Sequence, residues 1–145
     1  MRRQYRVSKL MRSQTMLSAA KAQIAAGRKV ILTYGVREDG RCSCKREGCA
    51  SPGKHPLPKF FPNGVHSATD DIEAVQKALR RHPDANLAIA LEGLTVVDVD
   101  GDEGRKAVKR LDLPDTVKVF TGRGYHLYYE GEISDVRSRV KNSTF

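Results

Sequence analysis

Three cysteines and one histidine lie close together in the chain, with the spacing of a metal site. They follow the pattern Cys42-x-Cys44-x4-Cys49-x5-His55. Three thiolates and an imidazole fill the tetrahedral shell of a structural zinc ion and leave no position open. Metal binding would also supply the ordering free energy that an irregular loop lacks. A disulfide would leave one thiol unpaired, and Cys42 and Cys44 are too close to bridge easily, so unpaired thiols or a catalytic thiol are the alternatives.

A pair of aspartates forms a second group, within Val96-Val97-Asp98-Val99-Asp100. Alternation along a strand sends Asp98 and Asp100 to one face and Val97 and Val99 to the other. Two carboxylates this close repel each other unless a divalent cation lies between them, and their hard oxygens suit Mg²⁺ or Mn²⁺. The alternative is a strand that simply ends in a polar turn, because Asp-Gly is a turn signal.

A glycine-rich turn forms the third group, and it leads into a strand that carries His126, Tyr128 and Glu130 on one face. The turn leaves its backbone and Arg123 free to approach a phosphate, and His126 could donate to a phosphate oxygen. A structural histidine and a solvated loop arginine are the alternatives.

Hydrophobic periodicity predicts the elements that position these groups. It indicates a helix over 14–26, ended by Gly27, and then a strand over 29–34. The segment 35–66 has no periodicity and carries all four candidate zinc ligands, and a loop of this length is usually functional or stapled. A second helix is predicted to begin after Thr69 as its N-cap and to end at His82-Pro83.

The second half of the chain reads as strands around a short helix. Strands over 87–91 and 94–99, joined by Glu92-Gly93, predict an antiparallel hairpin, with the aspartate strand in the middle of the sheet. The remaining elements are a basic helix and a second hairpin, over 102–111, 117–120 and 125–129. The predicted fold class is α+β.

Composition restricts the function classes further. In 145 residues, 26 Lys and Arg stand against 17 Asp and Glu, a net charge of +9, and 39% of the residues are hydrophobic. This length excludes two large domains, and this hydrophobic content excludes a fully disordered chain. The longest apolar runs are far shorter than the roughly 20 residues that cross a bilayer, and the first residues form no signal peptide. We therefore expect a cytoplasmic protein without a membrane partner.

The N-terminus, residues 1–13, is a basic arm. It contains five cations and no acidic residue: Arg2, Arg3, Arg6, Lys9 and Arg12. Such an arm suits contacts with nucleic-acid phosphates, although a frayed basic terminus without a partner has the same composition.

Taken in order, the motifs resemble one known family. They are Ser51-Pro52-Gly53-Lys54-His55-Pro56-Leu57, Pro83-Asp84-Ala85-Asn86, Val97-Asp98-Val99-Asp100, Leu113-Pro114-Asp115-Thr116 and Gly122 to Tyr129. Over roughly residues 17–130 the chain resembles the N-terminal domain of bacterial, phage and plasmid bifunctional DNA primase/polymerases, the prim-pol branch of the archaeo-eukaryotic primase superfamily.

The resemblance implies an RRM-like catalytic sheet with an added N-terminal α/β unit and a zinc-binding loop. It implies metal-dependent nucleotidyl transfer on single-stranded DNA templates in replication, with nucleoside triphosphates as substrates and a replicative helicase as a further candidate partner. The roles that it implies are Mg²⁺ or Mn²⁺ binding by Asp98 and Asp100, phosphate contacts by His126, and zinc binding by Cys42, Cys44, Cys49 and His55. Arg123 and Lys54 are additional phosphate-contact candidates, and a surface lysine is the alternative for Lys54.

The sequence departs from the family at its end. Relatives carry a third acidic metal ligand on a later strand, whereas Glu130, Glu132 and Asp135 stand in no matching context. We therefore expect residues 1–145 to form a single prim-pol domain that is incomplete at its C-terminus and polymerises poorly alone. A non-catalytic DNA- or nucleotide-binding module and a zinc-containing nuclease are the competing functions.

Overall fold

The computed structural model describes residues 9–133, which form a mixture of helices and strands. The elements in chain order are α1 (Lys9–Ala25), β1 (Val30–Thr33), a short 3-10 helix (Gly64–Ser67), α2 (Ile72–Arg81), β2 (Asn86–Ile89), β3 (Leu94–Asp100), α3 (Gly101–Lys109), β4 (Val117–Phe120) and β5 (Gly124–Glu130). The chain divides into two compact units, residues 1–90 and residues 91–145. The α+β class predicted from the sequence is confirmed.

The first unit is built around a two-stranded antiparallel sheet of β1 and β2. All four residues of β1 are buried, as expected for a continuous apolar run covered on both faces. Helices α1 and α2 and the second half of the 35–66 loop complete its core, which consists of Ala20, Val30, Ile31, Leu32, Leu57, Phe61, Val75, Ala78, Leu79 and Ala85.

Helix α1 begins at Lys9, five residues before the predicted start, so part of the predicted basic arm is helical. Residues 1–8, and with them Arg2, Arg3 and Arg6, lie outside the described residues. The predicted end is confirmed, because Gly27 adopts a left-handed φ of 76° and its N–H donates to the Ile24 carbonyl over 2.9 Å.

The N-cap of α2 is Asp71, and the prediction of Thr69 is wrong. The Asp71 carboxylate accepts from the backbone N–H groups of Glu73 and Ala74. Thr69 lies too early because its backbone is paired with Val30 of β1, whose N–H donates to the Thr69 carbonyl over 2.8 Å.

The predicted hairpin around Glu92-Gly93 does not form. Strand β2 pairs with β1, through contacts such as Leu32 with Leu87, whereas β3 pairs with β5 in a separate sheet. Glu-Gly specifies a hairpin weakly, so the apolar strands on either side take their partners from packing rather than from the turn. Gly93 has a φ of 69° and lies directly before the start of β3.

The second unit contains a three-stranded sheet in the order β3-β5-β4, with antiparallel neighbours. Strands β3 and β4 are therefore parallel, with β5 between them and α3 in their connection, which is a split β-α-β arrangement. The predicted β4–β5 hairpin and α3 helix are confirmed. The aspartate strand β3 lies at an edge of the described sheet and not in its middle, because β5 returns between β3 and β4.

Helix α3 packs against β3 on one face of this sheet, and within residues 91–133 no helix packs on the other face, which we call the uncovered face. A Cβ on Gly104 of α3 would lie 3.5 Å from the Val99 side chain, so helix and strand are in close contact there. Val99 and Leu127 are buried, and the strand register places both on the face of the sheet that α3 contacts. Among residues 9–133, no helix is both long enough and apolar enough to cross a bilayer.

Candidate functional site

The Cys/His loop is held by backbone pairing at both of its ends, at β1 on one side and at Val36 on the other. Backbone N–H groups of Tyr34 and Leu57 donate to the carbonyls of His55 and Leu32, over 3.0 and 3.1 Å. At the other end, Cys42 forms a β-bridge with Val36. The loop is therefore irregular in its hydrogen bonding but fixed in position, as a metal site requires.

The four predicted zinc ligands converge. The Sγ atoms of Cys42, Cys44 and Cys49 and a ring nitrogen of His55 all lie within 4.8 Å of one another. His55 Nε2 lies 3.2 Å from the Cys42 sulfur and 3.5 Å from the Cys49 sulfur. All three cysteines are free, so the disulfide alternative is not observed. Zinc held by three thiolates and one imidazole needs its ligand atoms roughly 3.5–4 Å apart, so this cluster could bind zinc with small adjustments.

Two of the thiols have shifted pKa values. Burial opposes ionisation of Cys42, but hydrogen bonds from the backbone of Gly53 and Cys44 and from the Cys44 and His55 side chains lower its pKa to about 6. The backbone of Ser51 favours the Cys49 thiolate, yet burial and the neighbouring Cys44 and Cys42 raise the Cys49 pKa. A thiolate at Cys42 is the form that ligates a metal.

Asp98 and His126 face each other on the uncovered side of the second sheet. They are direct partners in the β3–β5 register, and His126 Nε2 lies 3.3 Å from Asp98 Oδ1. The Asp98 side chain is 63% exposed, and the next residue, Val99, is buried on the opposite face. The predicted alternation of aspartates and valines along this strand is confirmed.

Asp100 lies at the end of the same face, next to the glycine-rich turn. Its carboxylate is 3.8 Å from the Arg123 guanidinium, and both side chains are more than half exposed. The Arg123 carbonyl accepts from the Gly101 backbone over 3.2 Å, which holds the turn against the end of β3. The structure therefore brings Asp98, Asp100, Arg123 and His126 together.

Tyr128 contacts His126 on the same face, although the sequence suggested no role for it. Its hydroxyl lies 3.4 Å from His126 Nδ1, so the imidazole has a neighbour at each ring nitrogen. Val119 of β4 is directly opposite His126 and 45% exposed. Strand alternation puts Tyr128 on the same face as His126, so the sequence contained the information needed to find the tyrosine. The position of Val119 opposite His126, in contrast, depends on the β4–β5 register, which the sequence does not give.

Gly124 fixes the spacing between β3 and β5 next to this site. It pairs with Asp100, and a Cβ at Gly124 would lie 1.7 Å from the Val99 carbonyl oxygen. A side chain there is sterically impossible without moving β3. Gly122, in contrast, has open space around it. Close packing of β3 and β5 therefore requires glycine at position 124. The open space around Gly122, in the turn before it, is where a ligand could approach the backbone.

The remaining predicted residues are less informative. Lys54 is exposed and belongs to the first unit, where its side chain has no assigned contact, so its phosphate role stays a prediction. Glu132 accepts a hydrogen bond from the Gly93 backbone over 2.9 Å, which is a structural role, and Asp135 lies outside the described residues.

Within residues 9–133, the Cys/His cluster is the one group of three or more Cys, His, Asp or Glu ligands compact enough for a metal ion.

Comparison with known proteins agrees with the resemblance in the motifs. No curated protein and no solved structure matches the chain. A family model described as bifunctional DNA primase/polymerase, N-terminal (Prim-Pol), matches residues 6–144, which is nearly the whole chain. With that match, and with a Cys/His cluster and an acidic strand in an α+β frame, the chain belongs to the Prim-Pol family of bifunctional DNA primase/polymerase N-terminal domains.

Proposed function

We propose that this protein performs metal-dependent nucleotidyl transfer on a single-stranded DNA template, with its active site on the uncovered face of the β3-β5-β4 sheet. The observation that carries the proposal is the placement of Asp98, Asp100 and His126 on that one face. Family membership implies DNA and nucleotides as substrates. Phosphoryl transfer depends mainly on positioning and charge neutralisation, which such a face can provide.

The two aspartates would hold Mg²⁺ or Mn²⁺. Their carboxylate oxygens are exposed, hard donors on neighbouring outward positions of one strand, which suits these ions. When bound, the metal ions supply charge neutralisation for the triphosphate and for the attacking oxygen. Arg123 and His126 lie close to the two carboxylates, and both side chains would be available to a triphosphate once metal ions neutralise the aspartates.

His126 is oriented by its two neighbours. Its Nε2 lies 3.3 Å from Asp98 Oδ1, and the Tyr128 hydroxyl lies 3.4 Å from its Nδ1. A ring held from both sides is oriented before substrate arrives, which favours a phosphate contact over a freely rotating histidine. We assign His126 to the phosphates of the incoming nucleotide.

The order β3-α3-β4-β5, with β5 in the middle, supports an RRM-like sheet as the catalytic frame. The Cys/His cluster would hold structural zinc, because its four ligands leave no open coordination position. A replicative helicase stays a proposed partner without a surface assigned to it.

One observation favours a second candidate function. Within residues 9–133, no third carboxylate lies close enough to Asp98 and Asp100 to complete a group of three metal ligands, so a non-catalytic module that binds DNA or nucleotide is the alternative. The two functions differ in whether a product strand grows.

The deciding experiment supplies labelled nucleotides, Mg²⁺ or Mn²⁺ and a single-stranded template, and measures nucleotide binding and product length in parallel. Metal-dependent growth of product supports catalysis. Metal-dependent nucleotide binding without growth supports the binding module, and loss of template mass indicates a nuclease. Absence of both binding and growth would contradict both proposals.

A further inference from the structure

A cavity of about 530 Å³ opens on the loop beside the Cys/His cluster, within residues 37–52. Cys42 and Cys49 form part of its wall, whereas His55 does not line it. The volume greatly exceeds that of a single metal ion and falls in the range of small-molecule sites, roughly 300–1,000 Å³. The cavity therefore has room for a ligand in addition to zinc.

The lining of this cavity is strongly basic. Glu47 is the one acidic residue in its wall. Four cationic side chains line it: Arg37, Arg41, Lys45 and Arg46. Asp39 partly neutralises two of the cations, since its carboxylate lies 3.3 Å from Arg37 and 4.0 Å from Arg41. Within the described ranges, no carboxylate forms an ion pair with Lys45 or Arg46.

Lys45 is also held in an unusual backbone conformation. Its φ is 63°, in the left-handed region that glycine adopts readily and other residues rarely do. Glycines occupy comparable conformations at Gly40 and Gly48 in the same loop. Lysine is energetically less favourable than glycine in this backbone conformation. In return, the loop presents an exposed cation at the cavity.

We propose that this basic cavity binds phosphate groups, either of a nucleic-acid strand or of a free nucleotide. Guanidinium groups bind phosphate oxygens in pairs, and Lys45 adds a point charge. The identity of the ligand class rests on the proposed function, whereas the cavity and its charge do not. Zinc in the neighbouring cluster would keep Lys45 and Arg46 in place because Cys44 directly precedes them.

The test uses the zinc-loaded, full 145-residue protein and two variants that each remove two positive charges. The cavity variant is Lys45→Gly with Arg46→Ala, in which glycine suits the left-handed backbone, so unfolding is not expected. The control variant is Lys77→Ala with Arg80→Ala, two exposed cations on α2 outside the cavity. Zinc content and thermal unfolding are measured first for all three proteins.

Binding is then measured by fluorescence anisotropy, with a labelled single-stranded oligodeoxynucleotide in one arm and a labelled nucleoside triphosphate in the other. We expect the cavity variant to bind the phosphate ligand roughly tenfold more weakly at moderate salt. For the oligodeoxynucleotide, its log affinity should fall less steeply with log salt, by about 1.4, because two phosphate contacts are lost. The control variant should stay close to wild type.

The two arms identify the source of the phosphate. A loss restricted to the oligodeoxynucleotide assigns the cavity to a DNA strand, and a loss for the triphosphate assigns it to free nucleotide. Equal binding by the cavity and control variants, or no binding by wild type in either arm, would overturn the proposal. Failure of the proposed function has a different signature, which is the absence of product growth. Product growth depends on Asp98, whereas the anisotropy measurements report binding and require no nucleotide incorporation.

Discussion

His126 Nε2 lies 3.3 Å from Asp98 Oδ1, and the two residues are direct cross-strand partners in the β3–β5 ladder. Their contact depends on register, because a slip of one residue would move one of them to the face covered by α3. The buried Val99 and Leu127 on that covered face hold the register by their packing. The position of the candidate site is thus a consequence of the core of the second unit.

Replacing Asp98 or Asp100 with Asn is expected to abolish nucleotide transfer and to leave the fold intact. Each change removes a formal charge from a site that would neutralise a triphosphate, and metal ligands that act together fail together. Both side chains are more than half exposed, so the free energy of unfolding should change by no more than about 0.5 kcal/mol. Nucleotide incorporation and denaturant unfolding measure the two effects.

Asp112→Asn is the matched control for these variants. Asp112 is exposed in the loop after α3 and has a φ of 45°, which Asn tolerates as well as Asp does. It should keep wild-type incorporation. Wild-type activity in Asp98→Asn would remove the assignment of the active site.

Gly124→Ala is expected to destabilise the second unit and to displace Asp100. The added methyl group would lie 1.7 Å from the Val99 carbonyl oxygen, so β3 and β5 must separate where Asp100 pairs with Gly124. Overpacking of this kind costs about 1–3 kcal/mol. Gly122→Ala, two residues earlier in open space, should be tolerated. Thermal unfolding of the two variants checks this, and equal melting temperatures would show that the strands adapt.

His55→Gln is expected to lose zinc and to lower the free energy of unfolding by roughly 3 kcal/mol or more. It removes one of four converging ligands, and the loop that they order carries the buried Leu57 into the core of the first unit. His66→Gln is the control, because His66 is an exposed histidine outside the cluster. Elemental analysis should find about one zinc per wild-type and control molecule. Full zinc content in His55→Gln would exclude this ligand set.

Acidification is expected to release zinc. Burial opposes ionisation of the Cys42 thiol, but hydrogen bonds lower its pKa from 9.0 to about 6. A lowered thiol pKa stabilises the folded protein fully above pH 9.0, and this contribution is lost as pH falls through about 6. Protons and zinc compete for the same thiolate, so the apparent zinc affinity should weaken progressively as pH falls below about 6. Competition with a zinc indicator at several pH values measures this, and an apparent affinity that stays constant between about pH 7 and pH 5 would contradict it.

Some of the structure could be predicted from local patterns. Helix α2, the β4–β5 hairpin and the irregular loop each follow from periodicity, turn residues or ligand spacing within a short window. The N-cap of α2 could not be chosen locally, because Thr69 and Asp71 both suit a cap. Asp71 takes that role since the Thr69 backbone is paired with Val30, a residue far away in sequence.

The candidate ligands and their chemistry follow from the order of the amino acids alone. Spacing brings the three cysteines and His55 within reach of one metal ion, and strand alternation places Asp98 and Asp100 on one face, both of which are short-range properties of the backbone. The pairing of the strands, in contrast, does not follow from local patterns. The split of β2 and β3 into different sheets, and the insertion of β5 between β3 and β4, depend on long-range burial of apolar side chains. That pairing sets His126 opposite Asp98, since residues distant in sequence meet only through the packing of a shared core.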